Sequence, residues 1–203
     1  LSIAKKSLPN GLLYTLESFF STPIEGVMLV GGTAISGFYT GHRRSDDIDL
    51  FTRDLSAQKN AILRCKNFSS KKIKIEIVEN FSEFFHAIAE CDGHQFTIQI
   101  VLDSHLFKTA KTHSINNIIL ADLETLFKMK IATLVSRCSE KDLYDVMILR
   151  EIFPKIKMNE MIAFGNESDG GVSPESLDLS LTSALLKAEA CNFSLKKISS
   201  KDI

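Results

Sequence analysis

A glycine pair, Gly31-Gly32, and an acidic triplet, Asp47-Ile48-Asp49, bracket one stretch of chain, "LVGGTAISGFYTGHRRSDDIDLFT" from Leu29 to Thr52. Ile48 and Leu50 alternate with the aspartates, so on an extended strand Asp47 and Asp49 share a face, with Cα atoms roughly 6.6 Å apart. Two like charges aimed at one point raise each other's pKa unless a cation sits between them. Magnesium takes oxygen ligands, commonly one or two carboxylates plus substrate phosphates. A pair of ions about 3.5–4 Å apart is the usual clamp for nucleotidyl transfer. Asp47 and Asp49 are therefore the expected ligands of two Mg²⁺ ions, with Mn²⁺ as the alternative.

The glycines point to the other half of such a substrate. A short apolar run, "GVMLV" at 26–30, leads into Gly31-Gly32-Thr33 at a helix start. Free backbone N–H groups and the positive end of a helix dipole favour an anion there, and glycines let a phosphate come close. No Gly-Lys-Ser/Thr follows, and the spacing is not Gly-x-Gly-x-x-Gly, so neither familiar nucleotide loop is present. A glycine pair by itself is an ordinary turn, and Asp-x-Asp by itself an ordinary strand end. In this order and context, they imply a metal-bound nucleoside triphosphate (NTP).

Further along, Leu123, Phe127, Ile131 and Leu134 form an apolar helical stripe with Lys130 inside it. A lysine so placed must snorkel or meet an anion. Lys128, at the stripe's edge, reads as solvated. Asp142 falls in the first turn of the next helix, where a carboxylate stabilises the helix by itself. Asp145 lies one turn further on the same face.

These residues need elements to position them. Helices are predicted over Gly11–Phe20, from Thr33 to Phe38 and over Leu55–Cys65. "DIDLF" reads as a strand, and "KKIKIEIV" (71–78) as a half-exposed edge strand. Asp92-Gly93 reads as a hairpin turn between "FFHAIAEC" and "HQFTIQIVLD". From Ala121 the pattern is helical, with a second helix entered at Ser139, where Asp142 takes the place of a capping-box Glu or Gln. A polar loop over 165–174, a helix from Pro174 to about Cys191 and a basic tail complete the chain. The fold class is α+β: a mixed sheet flanked by helices, opening with a βαβ-like unit, over residues 1–120, and a helical region over 121–203.

The chain has 203 residues, 44% hydrophobic and 24% charged, enough for a sizeable core. A formal net charge of −1 gives no bulk signal for nucleic acid or membrane. The basic clusters His42-Arg43-Arg44, Lys71-Lys72-Lys74 and Lys108/Lys111/His113 read as solvated faces, although a strip of phosphate contacts could be assembled from them. Cys65, Cys91, Cys138 and Cys191 are scattered, against a zinc site and for reduced thiols. With no leader-like apolar core and no membrane span, a cytoplasmic protein is expected.

"VGGTAISGFYTGHRRSDDIDLF" resembles motif one of the DNA polymerase β-type nucleotidyltransferases, in particular the AbiEii/AbiGii toxin branch. That branch carries Gly-Gly-Thr/Ser, then His-Arg-x-Ser-x-Asp-Ile-Asp-Leu-Phe, and His42, Arg43, Ser45, Asp47, Ile48, Asp49, Leu50 and Phe51 all match. Its later helix lysine and Lys-Asp-Leu-Tyr-Asp-Leu segment are answered by "FKMKIATLVSRCSEKDLYDVMIL". The resemblance spans Gly26 to Leu149. It implies a polymerase β-like core whose active site is completed by the helical region. The implied reaction moves a nucleoside monophosphate from an NTP to an acceptor hydroxyl of RNA, with the tRNA 3′ end favoured. It implies a toxin with a cognate antitoxin. Asp47 and Asp49 would hold the metals, and Gly31, Gly32 and Thr33 the triphosphate. Arg43 and Ser45 would brace the loop, and Lys130 would neutralise phosphate charge. The family's conserved acid would be Asp142 or Asp145, with Asp142 favoured.

One position departs from the polymerase pattern. A third carboxylate is expected on "FTIQIVLD", yet Gln99 stands in its place, and Asp103 on the same face lies roughly 13 Å further along. The general base is thereby left open. Two other readings compete: transfer to a small molecule or protein side chain, and a nucleotide- or partner-binding module without turnover.

Overall fold

The computed structural model describes residues 2–68, 72–168, 170–184, 191–196 and 198. The chain divides into two units, Leu1–Gly41 with Ser45–Asp122, and His42–Arg44 with Leu123–Ile203. Three residues from inside the glycine–aspartate stretch thus group with the helical unit.

The first unit runs α1 (Ala4–Ser7), α2 (Asn10–Phe19), β1 (Val27–Val30), α3 (Gly31–Ala34), β2 (Asp47–Thr52) and α4 (Leu55–Lys66). It continues with β3 (Ile73–Asn80), β4 (Phe84–Cys91), β5 (His94–Leu102), α5 (Ser104–Thr109), β6 (Thr112–Ile115) and β7 (Ile118–Ala121). The strands form one mixed sheet in the order β3-β4-β5-β2-β1-β7-β6. β2 is parallel to β5 and β1 to β7, whereas β1 and β2 are antiparallel.

That last pairing corrects the expected βαβ-like opening. The expected Thr33–Phe38 helix is the single turn α3, running on as a π-helical segment, Ile35–Thr40. Gly41, at φ 62°, ends it in the left-handed region, and the chain turns straight back. A parallel return would need a crossover over the sheet.

The sheet's two faces follow from alternation. On β2, Ile48, Leu50 and Thr52 are buried while Asp47, Asp49 and Phe51 are half-buried. On β5, Phe96, Ile98 and Ile100 are buried while Thr97, Gln99 and Val101 are not. Helices α2 and α4 pack against these strands, burying Leu12, Leu16, Phe19, Ala57 and Ala61. Each fully buried Leu, Ile or Phe contributes roughly 1.5–3 kcal/mol. The apolar alternate residues thus hold the sheet while the polar ones remain on the opposite face.

The hairpin at Asp92-Gly93 forms with both residues at positive φ (52° and 74°). β3 is an edge strand, as expected, and Lys71, where it was expected to begin, lies outside the described residues. The β6–β7 hairpin was not anticipated. Its turn, Asn116-Asn117, has both residues at positive φ (49° and 68°), a conformation that asparagine tolerates and that its pair in sequence could have signalled.

The second unit contains α6 (Leu123–Ser136), α7 (Glu140–Ile152), α8 (Met158–Ser168) and α9 (Pro174–Ser183). α6 packs against the other three, with Phe127 stacked on Phe153 at 5.7 Å. The polar loop expected over 165–174 is helical as far as Ser168. Asn166 explains this, because its side chain bonds both the N–H and the carbonyl of Val172 and folds the connection back. α9 opens with a reciprocal Ser173/Ser176 capping box. Its expected extension to Cys191 crosses 185–190, which lie outside the described residues, as do 169 of the loop and 197 and 199–203 of the tail.

His42–Arg44 is held to this unit by main-chain bonds. Arg44 N–H donates to Phe193 O at 2.6 Å and Leu195 N–H to His42 O at 3.0 Å. No described helix is long and apolar enough to cross a membrane.

Candidate active site

On the sheet, β1 and β2 align Val30 with Asp49, which brings the glycine turn against the acidic pair. A Cβ on Gly31 would overlap Asp49 Oδ2, and the residue sits at φ 71°. Only glycine satisfies both conditions. Gly31→Ala is therefore expected to lose at least about 1 kcal/mol through its backbone conformation alone, and to displace the Asp49 carboxylate. Thermal unfolding and metal binding check this; a variant unchanged in both would reduce Gly31 to an ordinary turn residue.

Gly32 and Thr33 are buried. The Thr33 hydroxyl donates to the main-chain carbonyl of Asp47, which leaves the expected backbone role of Gly31, Gly32 and Thr33 unaffected. The Thr33 side chain works from beneath, gripping β2. Asp47 is held at its other end as well, its Oδ1 accepting the Thr97 hydroxyl at 2.7 Å. Ser45 is buried and its N–H donates to Ser7 O at 3.3 Å, tying the entry to β2 to the α1 end of the unit.

Gln99 is the register neighbour of Asp49 on β5, where the third acid was expected. Asp103 does not replace it, because its Oδ1 accepts the Leu106 N–H at 2.8 Å as the N-cap of α5. Among the described residues no three His, Cys, Asp or Glu side chains are placed to hold one metal ion. Asp47 and Asp49, the two expected donors, are both oxygen ligands, a set that would suit a magnesium-like ion drawing its other ligands from water and phosphate. Cys65, Cys91 and Cys138 are free thiols, and burial pushes Cys65 up to about 12, far from a reactive thiolate.

In the helical unit a second constellation is built on α7, where Asp142 and Asp145 share a face and are fully buried. Asp145 accepts Arg43 Nε and Nη2 at 2.6 and 2.8 Å, His42 Nε2 at 2.8 Å and Lys130 Nζ at 2.9 Å. Asp142 accepts Lys130 Nζ at 2.7 Å, Arg137 Nε at 3.0 Å and the Ser139 hydroxyl at 2.6 Å. Lys130 is 5% exposed. The anions that its ammonium meets are two of the protein's own carboxylates, those of Asp142 and Asp145. The second acid, Asp145, is the hub that sequence ranked below Asp142, because only folding brings His42 and Arg43 to it.

Electrostatics follow from this packing. Burial alone would raise the Asp142 carboxyl, but Lys130, then Arg137 and Ser139, outweigh it and hold it at about 2. Burial likewise opposes ionisation of Asp145, yet Lys130 and Arg43 keep it far below the ordinary carboxylate range. Burial lowers His42 more than Asp145 raises it. The carboxylate can only accept, so His42 Nε2 carries the proton between them.

Comparison with known proteins gives the family and the fold. A family model described as nucleotidyl transferase AbiEii toxin, of a type IV toxin–antitoxin system, matches residues 14–196. Among solved structures the chain is similar to MenT4, a nucleotidyltransferase toxin from Mycobacterium tuberculosis H37Rv. The TM-score is 0.61 at 10% identity, over 94% of this chain and 77% of that one. It is also similar to JHP933 from Helicobacter pylori, with TM-score 0.57 and 16% identity, over 84% of this chain and 76% of that one. At such identities these likenesses show the fold alone. No curated protein matches the chain.

Proposed function

Because the chain belongs to the AbiEii nucleotidyltransferase toxin family, we propose that it transfers a nucleoside monophosphate from an NTP to a hydroxyl of RNA, releasing pyrophosphate. The tRNA 3′ end is the favoured acceptor. The observation that carries this reading is the Val30–Asp49 register, which sets the glycine turn under the acidic pair. Backbone N–H groups of Gly31, Gly32 and Thr33 receive the triphosphate, and Asp47 and Asp49 hold Mg²⁺. Bound there, the ion supplies the charge that a transferring phosphoryl group requires. The chain itself contributes position and fixed dipoles, which carry most of such a reaction.

Asp145, bridged to Asp142 by Lys130, serves turnover by holding Arg43 and His42, the residues that precede Ser45 and β2 in the chain. A cognate antitoxin and a cytoplasmic location, where RNA acceptors are found, complete the proposal.

The test is transfer of label from each α-labelled NTP, with Mg²⁺, to total RNA, to protein and to small-molecule hydroxyl acceptors. Label at RNA 3′ ends is the expected result. Label confined to protein or small molecules reassigns the acceptor, and NTP binding with no transfer to any of them overturns the enzymatic reading.

A further inference from the structure

β5 runs parallel to β2 with Thr97 beside Asp47 and Gln99 beside Asp49, all on the half-exposed face. The strand that would carry a third metal-binding acid therefore offers a hydroxyl and an amide, both neutral. The hydroxyl is engaged: Thr97 Oγ1 donates to Asp47 Oδ1 at 2.7 Å. The Thr33 hydroxyl holds the carbonyl of the same residue from α3.

We propose that Thr97 is a positioning residue for Asp47, fixing its carboxylate so that Oδ2 is presented to the metal ion. The inference rests on the reading of Asp47 and Asp49 as metal ligands and adds to it how β5 takes part. Magnesium demands near-ideal geometry at about 2.0–2.1 Å, and an unrestrained aspartate side chain at the start of a strand has rotational freedom that wastes such precision. Threonine is suited to remove it, because its β-branch restricts χ1 and so aims the hydroxyl. The bond is charge-assisted, among the stronger kinds. Outer partners of ligating carboxylates commonly matter about 10–100-fold in metal affinity or activity.

Two variants separate this role from packing. Thr97→Val removes the donor while keeping a β-branched side chain favoured in strands, and Thr97→Ser keeps the donor. Mn²⁺ binding is measured by calorimetry in the presence of a non-hydrolysable NTP, beside the Mg²⁺ dependence of transfer. Thr97→Val should raise the Mn²⁺ dissociation constant about 10–100-fold and raise the Mg²⁺ needed for half-maximal transfer in parallel, and Thr97→Ser should restore both. Wild-type-like Mn²⁺ binding in an otherwise active Thr97→Val enzyme overturns the inference and leaves the function standing. So does a Thr97→Ser variant as weak as Thr97→Val. A wild-type protein that neither binds Mn²⁺ nor transfers nucleotide overturns the reading of the site, and this inference with it.

Discussion

Asp47→Asn and Asp49→Asn are each expected to reduce nucleotide transfer by at least about 100-fold, the scale for losing a principal electrostatic group, with folding intact. Both carboxylates lie half-buried on the polar face of β2, away from Ile48 and Leu50, which make the core. Removing one of two neighbouring negative charges relieves repulsion in the metal-free protein, so the thermal midpoint should hold or rise. In Asp47→Asn the Thr97 hydroxyl can still donate to the amide oxygen that remains, so the local geometry has no reason to collapse. Turnover at saturating NTP, read beside thermal unfolding, checks both halves. Near-normal transfer in both variants would remove Asp47 and Asp49 from the metal site.

Asp145→Ala should be the most destabilising single change, costing about 3–5 kcal/mol, as when one partner of a buried ion pair is removed. It would leave Arg43, at 3% exposure, and Lys130, at 5%, facing each other without the carboxylate that neutralises both. The same pairing decides the outcome of Lys130→Met. A snorkelling lysine would tolerate that change, but one bridging two buried carboxylates leaves them less compensated, and stability should fall.

The cluster also sets the sign of the pH response. His42 titrates lower in the folded protein than its ordinary 6.5, so its contribution is present above that pH and is lost on acidification. Asp142 is depressed from 3.8 to about 2, so its contribution is present above pH 3.8 and is lost as the pH falls through about 2. Asp145 acts in the same direction. The wild-type thermal midpoint should therefore decline from mildly acidic pH downwards, and Asp145→Ala should flatten that decline. A variant within about 1 kcal/mol of wild type, the ordinary range of point mutants, with an unchanged acid profile, would show the cluster to be energetically idle.

Much of the site was legible before folding because its signals are local. Strand alternation puts Asp47 and Asp49 on one face whatever surrounds them. A glycine pair at a strand end marks a backbone no other residue readily adopts, and the structure returns that in Gly31 at φ 71°. The Asp92-Gly93 hairpin and the Ser139 entry to α7 are likewise short-range, determined by φ preference and by a hydroxyl within reach of a nearby N–H.

What composition and spacing could not decide is where hydrogen-bond partners distant in sequence would come from. Periodicity placed Lys130 inside an apolar stripe and left open whether it snorkels or meets an anion. The answer depends on α7 lying against α6, and on His42–Arg43, roughly a hundred residues away in sequence, reaching Asp145. The antiparallel return from β1 to β2 depends on pairing across the sheet, which a pattern along one strand does not encode. Thr97 looked like an ordinary strand residue until the parallel β2–β5 register set its hydroxyl 2.7 Å from Asp47. Side-chain type and period thus determined which residues could do chemistry. Register and burial decided which of them are already paired, because a buried charge must find its partner wherever the fold brings one within about 3 Å.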